Sequence, residues 1–121
     1  MKRNAATRRR DRAIERAYRA FIEPMAFCVC CGPSVPAVDL AHIRGHAQGY
    51  MKPPPWHTLP LCRRCHDMQE TNRQFWTPFS VSEAQWEAEN LFYFWEVRND
   101  PAAWLATLTN IHEALAMGRA A

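Results

Sequence analysis

An α+β fold, with a small zinc-braced, treble-clef-like finger embedded among α-helices, is the class that three features of this sequence predict. Two Cys-x-x-Cys pairs stand at Cys28/Cys31 and Cys62/Cys65. Between the pairs lie two short β-like pieces, separated by an irregular stretch rich in Pro and Gly. On either side of this region apolar residues recur at helical spacing. A length of 121 residues suits one domain with a modest core. With 48% apolar residues the chain is globular rather than disordered. Residues 1–24 are read as a basic amphipathic helix, 25–75 as the finger and 76–121 as a helical pair packing on it, together one compact domain.

Taken in order, the first helix is expected from about Thr7 to Ile22, with Ile14, Tyr18, Phe21 and Ile22 on its core face and arginines between them. Pro24 ends it. Strand-like pieces follow around Ala37 to Ile43 and Thr58 to Leu61. Between them GHAQGYMKPPPW reads as a long loop, turning at Gly45 and Gly49 and held extended by Pro53, Pro54 and Pro55. A short helix is expected from near Arg63 to about Thr71. Ser80 with Glu83 makes a capping box for a helix from about Val81 to Arg98, apolar through Trp86, Leu91, Phe92, Phe94, Trp95 and Val97. Asp100 as N-cap, Pro101 in the first turn and Gly118 as a stop frame the last helix, with Trp104, Leu108, Ile111 and Leu115 as its stripe.

Charge is unevenly spread. The net +3 divides into +6 over residues 1–20, where eight basic side chains face two acidic ones, and −3 over the remainder. Such an arm suits a polyanion, and arginines such as Arg8, Arg9, Arg10 and Arg12 suit phosphate in particular. No apolar run is long enough for a membrane span, and the charged N-terminus has no apolar segment of a secretory signal behind it. Five cysteines, an odd number, argue for thiolates on metal rather than a disulfide framework. The expectation is a cytoplasmic protein in a reducing compartment, with no membrane partner.

Cys28, Cys31, Cys62 and Cys65 supply the four thiolates that a structural zinc prefers, and Gly32 permits the sharp turn of a knuckle. Cys30, next to Cys31, would chelate poorly and is left unligated. With Cys62 and Cys65 clamping a helix start, His66 projects on a different azimuth and is available for a second task. His42, His46 and His57 lie close by in sequence, a cluster better explained by phosphate or metal chemistry than by isolated core histidines.

The run CVCCG…DLAHIRGHAQGYMKPPPWHTLPLCRRCHDMQE resembles the HNH, or His-Me finger, nucleases, especially small phage and prophage versions with a paired-cysteine zinc brace. The likeness covers about residues 27–71. It implies a ββα-metal finger holding one catalytic divalent cation, Mg²⁺ or Mn²⁺, beside the structural Zn²⁺. By position His42 matches the histidine that deprotonates the attacking water, His57 the middle residue behind that base, and His66 a ligand of the catalytic cation. His57 stands where the family has asparagine, Ala41 where an acidic or histidine ligand is common, and Glu70 where another histidine follows. Glu70 and Asp39 are candidates to complete the cation's shell, and His46 is a further candidate ligand or substrate contact. The implied activity is phosphodiester hydrolysis of double-stranded DNA by an endonuclease or nickase, with phosphate contacts from Arg44, Lys52, Arg63 and Arg64 besides the arm. The rival reading is a non-catalytic zinc module that binds nucleic acid or a protein partner, for instance in a phage or defence complex.

Overall fold

The computed structural model describes residues 4–43 and 53–120. Arg44, His46 and Lys52, with the two loop glycines and Tyr50, lie outside the described residues. Among the described residues the chain is a mixed α+β structure of four helices and a two-stranded sheet.

Helix α1 spans Ala5–Ile22. It starts two residues ahead of Thr7 because Asn4 supplies a cap, its side chain accepting from the Thr7 amide at 2.8 Å. A short 3-10 turn, Glu23–Met25, then carries Pro24. The buried stripe of α1 is Asp11, Glu15, Tyr18 and Ile22, whereas Ile14 is only half-buried. The core face is thus rotated from the one the apolar residues suggest, and two acids sit on it.

Strand β1 (Asp39–His42) runs antiparallel to β2 (Thr58–Leu61), pairing Asp39 with Leu61 and His42 with Thr58. Past the strand ends the Ile43 amide donates to the His57 carbonyl at 2.8 Å. The paired part of β1 is shorter than Ala37 to Ile43, because the residue beyond Leu61 is Cys62, which caps helix α2 (Arg63–Thr71) and leaves Val38 no strand to face. The proline run bends where an extended path was expected. The Pro54 carbonyl accepts from the His57 amide at 3.0 Å and the Pro55 carbonyl from the Thr58 hydroxyl at 2.7 Å. Trp56 packs edge-on to Phe92, ring centroids 6.2 Å apart.

Side chains alternate across a strand, so Asp39, Ala41 and Ile43 share one face of the ribbon with Leu61, Leu59 and His57. His42 and Leu40 share the other with Thr58 and Pro60. Both faces of β2 are buried. Helix α1 covers the His42 face, while α2 and α3 reach the opposite one through side chains described below.

Helix α3 (Val81–Glu96) opens on the expected reciprocal cap: Glu83 N–H donates to Ser80 Oγ, and Ser80 N–H to Glu83 Oε1, each at 3.0 Å. It ends at Glu96, two residues short of Arg98, because Asn99 takes the left-handed conformation at φ 48° that stops helices. Trp86 and Val97 are exposed, Trp86 by 62%, so the apolar surface of α3 is only partly core. Helix α4 (Pro101–Ala120) is capped by Asp100, which accepts from the Ala103 amide at 3.1 Å. Its stripe of Trp104, Leu108, Ile111 and Leu115 is fully packed. Gly118 is not the stop that was expected, since α4 continues to Ala120. It serves a close approach instead: a Cβ there would lie 2.3 Å from Pro78 Cγ.

Aromatic packing joins α1 to α3 and α4. Tyr18 stacks on Trp95 at 4.5 Å and Phe21 meets Trp104 edge-on at 5.0 Å. The Trp104 indole donates to the Tyr18 hydroxyl at 2.9 Å. Burial raises the Tyr18 phenol well above its ordinary range despite that hydrogen bond, so it stays protonated. Among the described residues no helix is long and apolar enough to cross a membrane.

Candidate functional site

Residues 28–32 make a tight turn closed in both directions by backbone. Cys28 N–H donates to Gly32 C=O at 3.0 Å, and Gly32 N–H to Cys28 C=O at 2.7 Å. The turn aims the Cys31 amide at Cys28 Sγ, 3.4 Å away. Gly32 is required twice over. Its φ is +97°, and a Cβ would sit 3.0 Å from His112 Nε2. His112 on α4 donates from Nδ1 to the Val29 carbonyl at 3.0 Å, and the Val29 amide donates to the Pro60 carbonyl at 2.9 Å. The turn is thereby braced by α4 on one side and β2 on the other. Gly32→Ala is expected to cost about 1–3 kcal/mol, the usual range for strained backbone. Chemical denaturation of the metal-loaded protein measures this.

The second cysteine pair comes from the β2–α2 junction, with Cys62 as the N-cap of α2 and Cys65 buried in its first turn. All four sulfurs lie within 4.8 Å of one another. Cys31 Sγ is 3.8 Å from Cys62 Sγ and 3.5 Å from Cys65 Sγ. Sulfurs at about 2.3 Å from a tetrahedral zinc stand roughly 3.8 Å apart, so the donor set fits such an ion. Among the described residues this is the one gathering of three or more His, Cys, Asp or Glu side chains tight enough to hold a metal. Burial, reinforced by the neighbouring thiols, pushes the Cys65 thiol up, so metal binding must displace its proton. Cys30 stays outside the cluster. Burial pushes its thiol up to about 11, against a smaller pull from the Arg119 guanidinium.

Each of the three histidines singled out as catalytic meets a carboxylate. His42 Nε2 lies 2.9 Å from Glu15 Oε2 on α1. His57 Nε2 lies 2.8 Å from Glu89 Oε1 on α3. His66 Nδ1 lies 2.9 Å from Asp39 Oδ2, and its Nε2 faces Glu70 Oε1 at 3.6 Å, one helical turn along α2. His66, Asp39 and Glu70 therefore come together, but with the acids at opposite nitrogens of one ring. His42 is not part of this group and sits on the other face of the ribbon. The His57 side chain turns to α3, and its backbone carbonyl is what holds the end of β1.

The cationic residues divide similarly. Arg63 is committed to acids, 3.0 Å from Asp39 and 3.8 Å from Asp67. Arg64 and the arm residues Arg8, Arg9, Arg10 and Arg12 are exposed. At about 100° per residue, Arg8, Arg9, Arg12, Arg16 and Arg19 fall in a sector roughly 100° wide beside the buried stripe, and Arg10 lies on its other flank.

Sequence reasoning missed Glu15 and Glu89 as histidine partners and His112 as a brace of the cysteine turn. For Glu15 a signal existed. Asp11, Glu15, Tyr18 and Ile22 have the spacing of a single stripe, and Tyr18 and Ile22 were already placed in the core. The chain matches no family model, no curated protein and no solved structure.

Proposed function

We propose that the chain is a metal-dependent DNA endonuclease or nickase, built on a zinc-braced ββα finger of the HNH type. The observation that carries this reading is the line Asp39–His66–Glu70. A carboxylate at Nδ1 orients an imidazole and makes its other nitrogen a better ligand, the arrangement found around metal-bound histidines. Here Asp39 takes Nδ1, and Nε2 looks towards Glu70 at 3.6 Å, too long for a hydrogen bond and close enough for both to face one small cation. Asp39 thus orients the ring from the Nδ1 side and does not itself face the cation, so it does not replace the ligand that position 41 lacks.

His66 and Glu70 would hold the cation; Mg²⁺ is usually bound through one or two carboxylates, here Glu70, with waters and phosphate oxygens completing its shell. When bound, it would supply positive charge at the scissile phosphate and the departing oxygen. His42 stands on the opposite face of the ribbon from His66 and Glu70, so in this reading the scissile phosphate lies across the ribbon's edge, where His42 takes one proton from the attacking water. The water oxygen bonds to phosphorus, the bond from phosphorus to the departing sugar oxygen breaks, and that oxygen gains a proton from solvent. The arginine sector of α1, on the element that touches His42, supplies phosphate affinity from the same side. The four thiolates play no part in the reaction and fix the start of α2, and with it the direction of His66.

The test is supercoiled plasmid incubated with the zinc-loaded protein. Conversion to open circles is expected with added Mg²⁺ or Mn²⁺ and not without them. A protein that retards the plasmid yet leaves it supercoiled with either ion would instead be the non-catalytic zinc module.

A further inference from the structure

We propose that Glu15 is the positioning residue for His42, holding it as the Nε2–H tautomer so that Nδ1 is the nitrogen that accepts a proton. The catalytic part of this inference rests on the nuclease reading; the tautomer does not.

Glu15 is 4% exposed in the middle of α1, on a stripe otherwise completed by Tyr18, Ile22 and the shorter acid Asp11. An apolar side chain would serve packing there at less cost, because a buried carboxylate must be paired to be tolerated. One partner it meets is His42 Nε2, at 2.9 Å, and 13% of the His42 side chain is left open. A carboxylate accepts and cannot donate, so the imidazole nitrogen facing it must carry the hydrogen. In the neutral ring the lone pair then resides on Nδ1.

The other two pairs differ. His66 offers Nδ1 to its acid, the reverse orientation, as suits a ring whose Nε2 is kept for a ligand. His57 offers Nε2 to Glu89, but that acid is 42% exposed, so the pair is solvated and holds its ring less firmly. Only the acid of the His42 pair is deeply buried, and it comes from the helix that also bears the arginine sector. Phosphate held by α1 is therefore held by the same rigid element that aims the base.

A purely architectural role, tying α1 to β1, is the competing account. Histidine-selective ¹⁵N spectra of the zinc-loaded protein, recorded with no divalent cation added, separate the two. The expected result is a single Nε2–H tautomer for His42 in the wild type. Glu15→Gln presents both an acceptor and a donor to Nε2 and is expected to give mixed tautomers while zinc content stays unchanged. Plasmid nicking by the same variant is expected to lose roughly 10²-fold in kcat with KM altered by no more than about threefold. Glu15→Asp is expected to recover part of the rate. A wild-type His42 carrying its proton on Nδ1 overturns the assignment, whatever the activity. Full kcat in Glu15→Gln overturns the positioning role. Neither result resembles failure of the nuclease reading, in which the wild type nicks nothing while the tautomer can still be read.

Discussion

Replacing Cys65 by alanine is expected to release the zinc and unfold the chain at 25 °C. Cys65 is buried in the first turn of α2, with its sulfur 3.5 Å from that of Cys31. It belongs to the one set of thiolates that joins the turn at residues 28–32 to the β2–α2 junction. Zinc in small domains contributes about 10–16 kcal/mol of apparent folding free energy, against a total stability of about 5–15 kcal/mol for a typical domain. Losing the ion therefore exceeds what the core can offset. Removing a sulfur atom from a packed site costs only about 1 kcal/mol by itself, so the size of the effect separates a lost ion from a small cavity. Zinc content by elemental analysis and near-ultraviolet circular dichroism are the measurements, and a strong chelator should produce the same unfolded spectrum from wild type. A variant that melts cooperatively within a few degrees of wild type and keeps one equivalent of zinc would show that these sulfurs do not hold the fold together.

The second large effect is expected at His42. Removing its basic nitrogens should lower the plasmid-nicking rate by about 10²–10⁴-fold, the usual worth of a general base. Alanine is a poor choice of replacement, since it strands the Glu15 carboxylate in the core. Breaking one side of a buried pair costs about 3–5 kcal/mol, enough to confuse unfolding with lost chemistry. His42→Gln avoids this, because the glutamine amide can still donate to Glu15 and has no basic nitrogen. Zinc content and melting temperature should stay close to wild type while nicking disappears. Undiminished nicking by His42→Gln would remove His42 from the reaction.

Those two expectations differ in how far the sequence alone supports them. The cysteine site was readable because its ligands come in closely spaced pairs, and spacing is a one-dimensional signal. Caps were readable for the same reason: Ser80 with Glu83 and Asp100 with Pro101 announce their helices within four residues. Glu15 and Glu89 were not read as partners because their histidines lie 27 and 32 residues away. The stripe that Glu15 shares with Tyr18 and Ile22 marks it as core-facing, but only the pairing of the strands shows which way each histidine faces. Asp39 shows the same limit in part: it was singled out as a candidate ligand, but only the strand register shows that its carboxylate meets His66. Gly118 was misread because its role depends on Pro78, 40 residues earlier, and not on its own helix.

The grip of His112 on the Val29 carbonyl has a bearing on how this protein is made. Those residues are separated by 83 positions. Ribosomes add about 5–20 residues per second, so a nascent chain waits roughly 4–17 s between presenting the first cysteine pair and acquiring the helix that the pair leans on. During that interval Cys28 and Cys31 are tethered thiols on an unfinished polypeptide, open to stray oxidation or to the wrong metal. All four thiols have been made by residue 65, so a metal can be gathered before the brace arrives, and the helix that steadies the first turn is the last one synthesised.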